Sequence, residues 1–183
     1  LEQETRYNEL LDAPISTVEI KRAFRKLSPG TAAGIDRLPG GCLKEAQDKL
    51  IPYLNKLFNV LFDKQYFPKL WSKSVVVPIH KKGDFNNPDN YRGISLLCAT
   101  CKLFTTILAE RMKIWMESEN RLCIEQAGFR AEHSTIDHIF TMKAMILKHV
   151  YGEGRGKLYV CFVYYRKAFD HFPRERERER AVS

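Results

Sequence analysis

A mixed α/β (α+β) fold is predicted by three features of this 183-residue chain. Four segments repeat apolar residues at helical spacing, a β-branched run is answered across a polar turn by a second strand-like run, and one fully apolar stretch lies near the C-terminus. The length suffices for one real core, and the 44% hydrophobic content is that of an ordinary globular protein.

The segment STVEIKRAFRKLSPG predicts the first long helix. Ser16 can cap it, Glu19 completes a capping box, Ile20, Ala23, Phe24 and Leu27 share one face, and Pro29 and Gly30 stop it. TAAGIDRLPGG is too rich in glycine and small residues to hold a helix and is expected to be a loop over other structure. Helical spacing returns over 43–67. There Pro52 is expected in the first turn of a second helix, with Leu54, Leu57, Phe58, Leu61 and Phe62 facing inward.

Trp71 introduces SVVVPIH, a predicted strand, and KKGDFNNPDN is a polar turn. YRGISLL is the predicted return strand, so the pair forms a hairpin-like flap carrying Lys81, Lys82 and Arg92. LFTTILAERMKIWME predicts an amphipathic helix through Phe104, Ile107, Leu108, Arg111 and Trp115. QAGFRAEHS reads as loop or short strand. Ser134 can then cap a helix with Asp137 at its third position and a stripe of Ile139, Met142, Ile146 and Val150. GEGRGK is expected to be a flexible turn, and LYVCFVYY a strand of the kind buried on both faces.

The formal charge of +8 and the pI near 9.3 favour polyanionic partners, because each Lys or Arg that meets a phosphate releases condensed counterions. The one low-complexity piece, RERERER at 174–180, holds four Arg and three Glu. With it set aside, 26 basic and 19 acidic residues remain, so the basic character belongs to the rest of the chain. In a helix this run would place like charges four residues apart, and a solvated tail is expected instead.

Five cysteines, an odd number, follow a polar opening LEQETRYNEL that has no secretory character. An intracellular setting, nucleus or cytoplasm, is expected. Cys98 and Cys101 have no second pair at zinc-finger spacing and are expected to be small half-buried residues. No run approaches the roughly 20 apolar residues of a membrane span, so no membrane partner is expected. The five histidines form no metal constellation, no Ser-His-Asp arrangement is apparent, and GEGRGK lacks the phosphate-loop pattern.

Five stretches, in order and at matching spacing, resemble the reverse transcriptase domain of non-LTR retrotransposons of the LINE and jockey-like kind. They are SPGTAAGIDRLP, WSKSVVVPIHKKGDFNNPDNYRGISLL, KLFTTILAERM, QAGFRAEHSTIDHI and CFVYYRKAFD. The resemblance runs from about Asp12 to Asp170. It implies part of a right-hand polymerase fold: residues 1–11 a flank, 12–150 helical fingers with a β-hairpin, 151–173 the start of the palm with LYVCFVYY as its first strand, and 174–183 a tail. It further implies a truncated RNA-directed DNA polymerase whose partners are an RNA template, a DNA primer and a deoxynucleotide, and whose cofactor is Mg²⁺.

By the same resemblance, Tyr164 stands where the family carries its first metal-binding Asp. Two-metal nucleotidyl transfer needs hard anionic oxygens, and a neutral phenol is a poor Mg²⁺ ligand. Asp170 matches a secondary acid that lies too far along the chain to replace it, and Phe169 a residue under the incoming sugar. The resemblance therefore implies a polymerase descendant without catalytic activity. A non-catalytic RNA- or DNA-binding remnant is the alternative. Lys81 and Arg92 match fingers residues that grip the triphosphate, with Lys82 a weaker neighbour. Gln126, Gly128, Phe129 and Arg130 match a template-side motif; a glycine turn with a buried phenylalanine is the plain reading of the same four. Three departures stand out: Arg37 replaces a usual Gly in the first loop, and Glu132 and His133 stand where a small and a basic residue are common.

Overall fold

A computed structural model describes residues 7–152 and 156–165. The element order is α1 (Glu9–Asp12), α2 (Thr17–Lys26), α3 (Gly40–Glu45), α4 (Gln47–Asp63), β1 (Val75–His80), a 3₁₀ turn (Pro88–Asn90), β2 (Tyr91–Leu96), α5 (Ala99–Ser118) and α6 (Thr135–Val150). The strands pair antiparallel as a two-stranded sheet, so helices and one hairpin make a mixed α and β fold. The described residues fall into two compact units divided between Cys123 and Ile124.

In the first unit, α2 packs on α4 and α5, α1 on α5, and α3 on α4. The predicted capping box closes α2: Ser16 Oγ accepts from the Glu19 amide at 3.3 Å, and the Glu19 carboxylate accepts from the Ser16 amide at 2.8 Å. Ile20, Ala23, Phe24 and Leu27 are all buried, as their spacing requires. They meet Leu54, Phe58 and Leu61 of α4 and Leu103, Phe104 and Ile107 of α5 in one core cluster. Trp71, expected only to lead into a strand, joins this core. Its ring lies 6.2 Å from Phe58 and 5.6 Å from Phe104, and those two rings are 5.3 Å apart. Cys98 and Cys101 are free thiols buried in the same cluster, and burial raises both thiol pKa values.

Arg111 occupies the apolar stripe of α5 yet is only 6% exposed. Its Nε donates to Glu19 Oε1 at 2.7 Å and Nη2 to Glu19 Oε2 at 3.1 Å. Nη1 donates to the Leu11 and Ala13 carbonyls at 3.1 and 2.6 Å, and Nη2 to the Pro14 carbonyl at 3.1 Å. On the other side, Asn59 Oδ1 accepts from the Ile15 amide at 2.7 Å, while Asn55 and Asn59 both donate to the Ile15 carbonyl. The connection between α1 and α2 is thus satisfied by side chains from α4 and α5.

Four expectations are corrected. Helix α4 starts at Gln47, so Pro52 lies inside it rather than in a first turn, leaving the Asp48 carbonyl without its helical donor. Leu57 is 42% exposed, because α2 covers only the Ile51, Leu54, Phe58 and Leu61 row. Residues 158–165 carry no strand: no partner strand pairs with them among the described residues, and their side chains are largely exposed. Helix α6 forms with its predicted capping box, Ser134 with Asp137, but buries none of its residues; Ile139 is 61% exposed. Residues 153–155 of the GEGRGK turn, Phe169, Asp170 and the 174–180 run lie outside the described residues.

Glu19 makes the fold pH-dependent. Burial alone would raise its carboxyl pKa, but the hydrogen bonds from Arg111 and Ser16 outweigh this and lower it from 4.5 to about 2. A depressed carboxyl pKa contributes stability that is present above the unfolded value and lost as pH falls towards the folded one. Urea unfolding is therefore expected to lose on the order of 3 kcal/mol between pH 5 and pH 2 beyond the loss in a Glu19→Gln variant. Parallel pH profiles for the two proteins would contradict this.

Candidate functional site

The hairpin register assigns its side chains to two faces. Val75 pairs with Leu96, Val77 with Ile94 and Ile79 with Arg92, so these six share one face; Val76, His80, Tyr91 and Ser95 share the other. The Lys81 amide donates to the Asn90 carbonyl at 2.8 Å, continuing the ladder by one residue. Lys81 therefore continues on the side of Ile79 and Arg92, one diagonal step from Arg92, whereas Lys82 lies past the ladder in a bend. Lys81 and Arg92 are exposed, and neither forms an ion pair among the described residues. The floor between the sheet's foot and these cations is apolar and open: Val75, Val77, Ile79 and Ile94 all remain exposed.

The opposite face holds the tip in shape. Phe85 folds back to stack on His80 with ring centres 4.1 Å apart, Tyr91 meets His80 edge-on at 5.2 Å, and the Tyr91 hydroxyl donates to the Phe85 carbonyl at 2.9 Å. Asn90 Nδ2 donates to the Asp84 carbonyl at 2.9 Å, and the Asp84 carboxylate accepts from the Asn86 amide. Gly83 takes φ +94°, and a Cβ there would lie 2.6 Å from Asn90 Nδ2. The tip is exposed but extensively bonded to itself, so the two cations stand on a preorganised support.

The loop at 30–39 meets the foot of this hairpin. Its turn closes with the Arg37 amide donating to the Gly34 carbonyl at 3.0 Å, and Asp36 Oδ1 accepts from the Leu38 amide. Arg37, which the resemblance sets where a glycine is usual, adopts a left-handed φ of +57°, so the turn forms with backbone strain. Ala33, Gly34, Ile35, Arg37 and Val75 line an open hollow of about 410 Å³. Gly34 itself is pressed on the backbone that enters α5: a Cβ would come within 2.5 Å of the Leu97 carbonyl carbon and 2.6 Å of the Cys98 nitrogen.

In the second unit, Gln126, Gly128, Phe129 and Arg130 form one exposed turn. Gln126 Nε2 donates to the Gly128 carbonyl at 3.3 Å, and Arg130 Nη1 reaches the Gln126 carbonyl at 3.5 Å. The plain reading with a buried phenylalanine is overturned, since Phe129 is 88% exposed and takes φ +63°. Glu132 also has a positive φ, and His133 Nδ1 lies 2.8 Å from the Ala131 carbonyl. Tyr164 is 81% exposed, and no group of three or more His, Cys, Asp or Glu among the described residues could hold a metal ion. The described residues thus offer no donor set suited to Mg²⁺.

No helix among the described residues is long and apolar enough to cross a membrane. Sequence reasoning missed the partners of Arg111. Its position on an apolar stripe, with Glu19 already marked as a capping acid, was the available signal.

No family model matches the chain. Several curated proteins resemble it in sequence, three of which illustrate the match. The probable RNA-directed DNA polymerase from transposon BS of Drosophila melanogaster is 34% identical over 136 residues, 74% of this chain and 15% of that protein. The probable RNA-directed DNA polymerase from transposon X-element of the same fly is 32% identical over 73% of this chain and 15% of that protein. The RNA-directed DNA polymerase from mobile element jockey of Drosophila funebris is 28% identical over 86% of this chain and 17% of that protein. The chain matches only about a sixth of the length of these relatives.

Gly34→Ala is expected to destabilise the first unit by about 2 kcal/mol or more, because backbone rather than a movable side chain fills the space. An unchanged denaturation midpoint for that variant would refute the close approach.

Proposed function

Since this chain belongs to the reverse transcriptase family of jockey-like, non-LTR retrotransposons, we propose that its hairpin is the part that grips phosphates of the incoming deoxynucleotide. The observation that carries this reading is the pair of cations, Lys81 and Arg92, on one face of a self-bonded hairpin and without an ion pair among the described residues. Arg92 presents a planar fork that matches phosphate oxygens, and Lys81 a mobile point charge beside it. In this reading residues 12–150 are fingers and 151–173 begin the palm. Phe169 matches in sequence the family residue under the incoming sugar, and the exposed, left-handed Phe129 with Gln126, Gly128 and Arg130 meets an RNA template by stacking and backbone contact.

Catalysis is a separate matter. Mg²⁺ would supply charge stabilisation and an activated primer hydroxyl in the family's reaction, but Tyr164 brings no negative oxygen to the position of the first acid. The same cations equally serve a second role, a non-catalytic binder of RNA or DNA, and the missing carboxylate favours it for this chain. Primer extension with Mg²⁺ or Mn²⁺ is expected to give no template-directed product; any such product would defeat this assignment.

Lys81→Ala and Arg92→Ala are each expected to weaken deoxynucleoside triphosphate binding about tenfold, roughly the worth of one charge-assisted hydrogen bond. Arg92→Lys should recover only part of the loss, because the bidentate geometry is gone. Titration calorimetry that found all three variants equal to the parent would exclude the hairpin as the phosphate grip.

A further inference from the structure

Between the C-terminal end of α2 and the flank of α5 lies a cleft of about 220 Å³, lined by Ala23, Lys26, Leu27, Ser28, Thr31, Lys102, Leu103 and Thr106. Its lining contains two ammonium groups, three hydroxyls and no carboxylate. Lys26 is held by Glu110 at 2.5 Å, while Lys102 makes no ion pair among the described residues. Thr106 is part-buried in α5, yet its hydroxyl makes no hydrogen bond among the described residues; its neighbour Thr105 bonds back to the Cys101 carbonyl at 2.9 Å, as a helical threonine commonly does.

A helix C-terminus ordinarily repels anions through its free carbonyls. Here part of that repulsion is relieved, because the Ala23, Phe24 and Leu27 carbonyls are taken, although none of the described residues donates to those of Arg25 and Lys26. The Leu27 amide donates to the Ala23 and Phe24 carbonyls, Lys44 Nζ to the Leu27 carbonyl at 3.0 Å, and the Thr31 hydroxyl to the Ser28 carbonyl at 2.8 Å. The side chains that line the cleft are donor-rich: Lys102, Lys26 and the hydroxyls of Ser28 and Thr106.

We infer that this cleft binds a phosphate group of a single nucleic-acid strand, as a contact additional to the hairpin. The polymer's identity rests on the proposed function, whereas the anion site rests on the cleft alone. A phosphate suits the cleft because ammonium and hydroxyl donors line it without a carboxylate, and because Lys102, unlike the Glu110-bound Lys26, has its charge uncommitted among the described residues.

The test uses the full chain in two arms. In the first, amide NMR shifts of Ser28, Thr31 and Thr106 are followed during titration with inorganic phosphate, against sodium chloride at equal ionic strength. Movement with phosphate alone is expected, and no movement overturns the site. In the second, binding of an oligo-dT single strand is measured against salt. Lys102→Ala should weaken binding about fivefold and reduce the slope of log K on log salt by about 0.7, one phosphate contact on a single strand. Lys102→Arg should restore the slope, and the near-isosteric Thr106→Val should weaken binding without changing it. Parental slopes for Lys102→Ala overturn the nucleic-acid assignment even if free phosphate binds. Lys81→Ala and Arg92→Ala serve as controls: their failure with a Lys102 effect intact would sink the hairpin reading and leave this one standing.

Discussion

The first unit depends on one constraint: the short connection from Leu11 to Ile15 crosses between helices, and its backbone groups must be paired. Arg111 meets that need with every donor it has. Its five N–H groups make five hydrogen bonds, two to Glu19 and one each to Leu11, Ala13 and Pro14. A lysine has three donors on one nitrogen and could not span this set. Buried ion pairs add little net stability over apolar packing, but removing one partner leaves a charge unpaired at a cost of about 3–5 kcal/mol. The interaction therefore acts chiefly on specificity, fixing α1 and α2 against α5. The α2–α5 cleft follows from the same placement, since Arg111 and Glu19 join these helices one to three turns from Lys26 and Lys102.

Much of this architecture was legible because it is local. The two capping boxes at Ser16 and Ser134, the buried row of α2 and the hairpin all follow from residues a few positions apart. What could not be read is which helix rows another element covers. Leu57 and Ile139 fit their helical stripes as well as Phe58 and Phe24 do, yet remain open, because period alone names a face without supplying its partner. The Arg111 network joins residues 92 to 100 positions apart, and no local pattern reports such a meeting. Residues 158–165 show the same limit: an apolar run has strand composition, but a strand exists only with a neighbour to accept and donate its ladder bonds.

At the candidate site, sequence placed Lys81 and Arg92 on a hairpin, and register adds what decides their chemistry. A shift of one residue would send them to opposite faces. The aromatic clasp of His80, Phe85 and Tyr91 occupies one face and leaves the other to the cations and their apolar floor. The division explains why Lys81, in register with Asn90, shares a face with Arg92. It also explains why a turn so rich in Asn, Asp and Gly is not loose: its polar side chains bond its own backbone.

Backbone strain gives an independent pointer. Among the described residues five non-glycine positions have positive φ: Arg37, Gln65, Asn120, Phe129 and Glu132. Two have a structural cause. Gln65 and Asn120 follow the ends of α4 and α5, where a left-handed residue lets the next amide reach back, as Tyr66 does to Leu61 and Arg121 to Met116, both in Schellman fashion. The other three end no helix. They lie in the 28–39 loop and the 126–134 turn, both stretches that resemble the polymerase motifs, and each costs about 1–3 kcal/mol to hold. Arg37, Phe129 and Glu132 are moreover all exposed, so no packing gain offsets them. Strain that neither capping nor burial repays fits a ligand-facing loop better than a passive connection, and it singles out Arg37, Phe129 and Glu132 without reference to charge or motif.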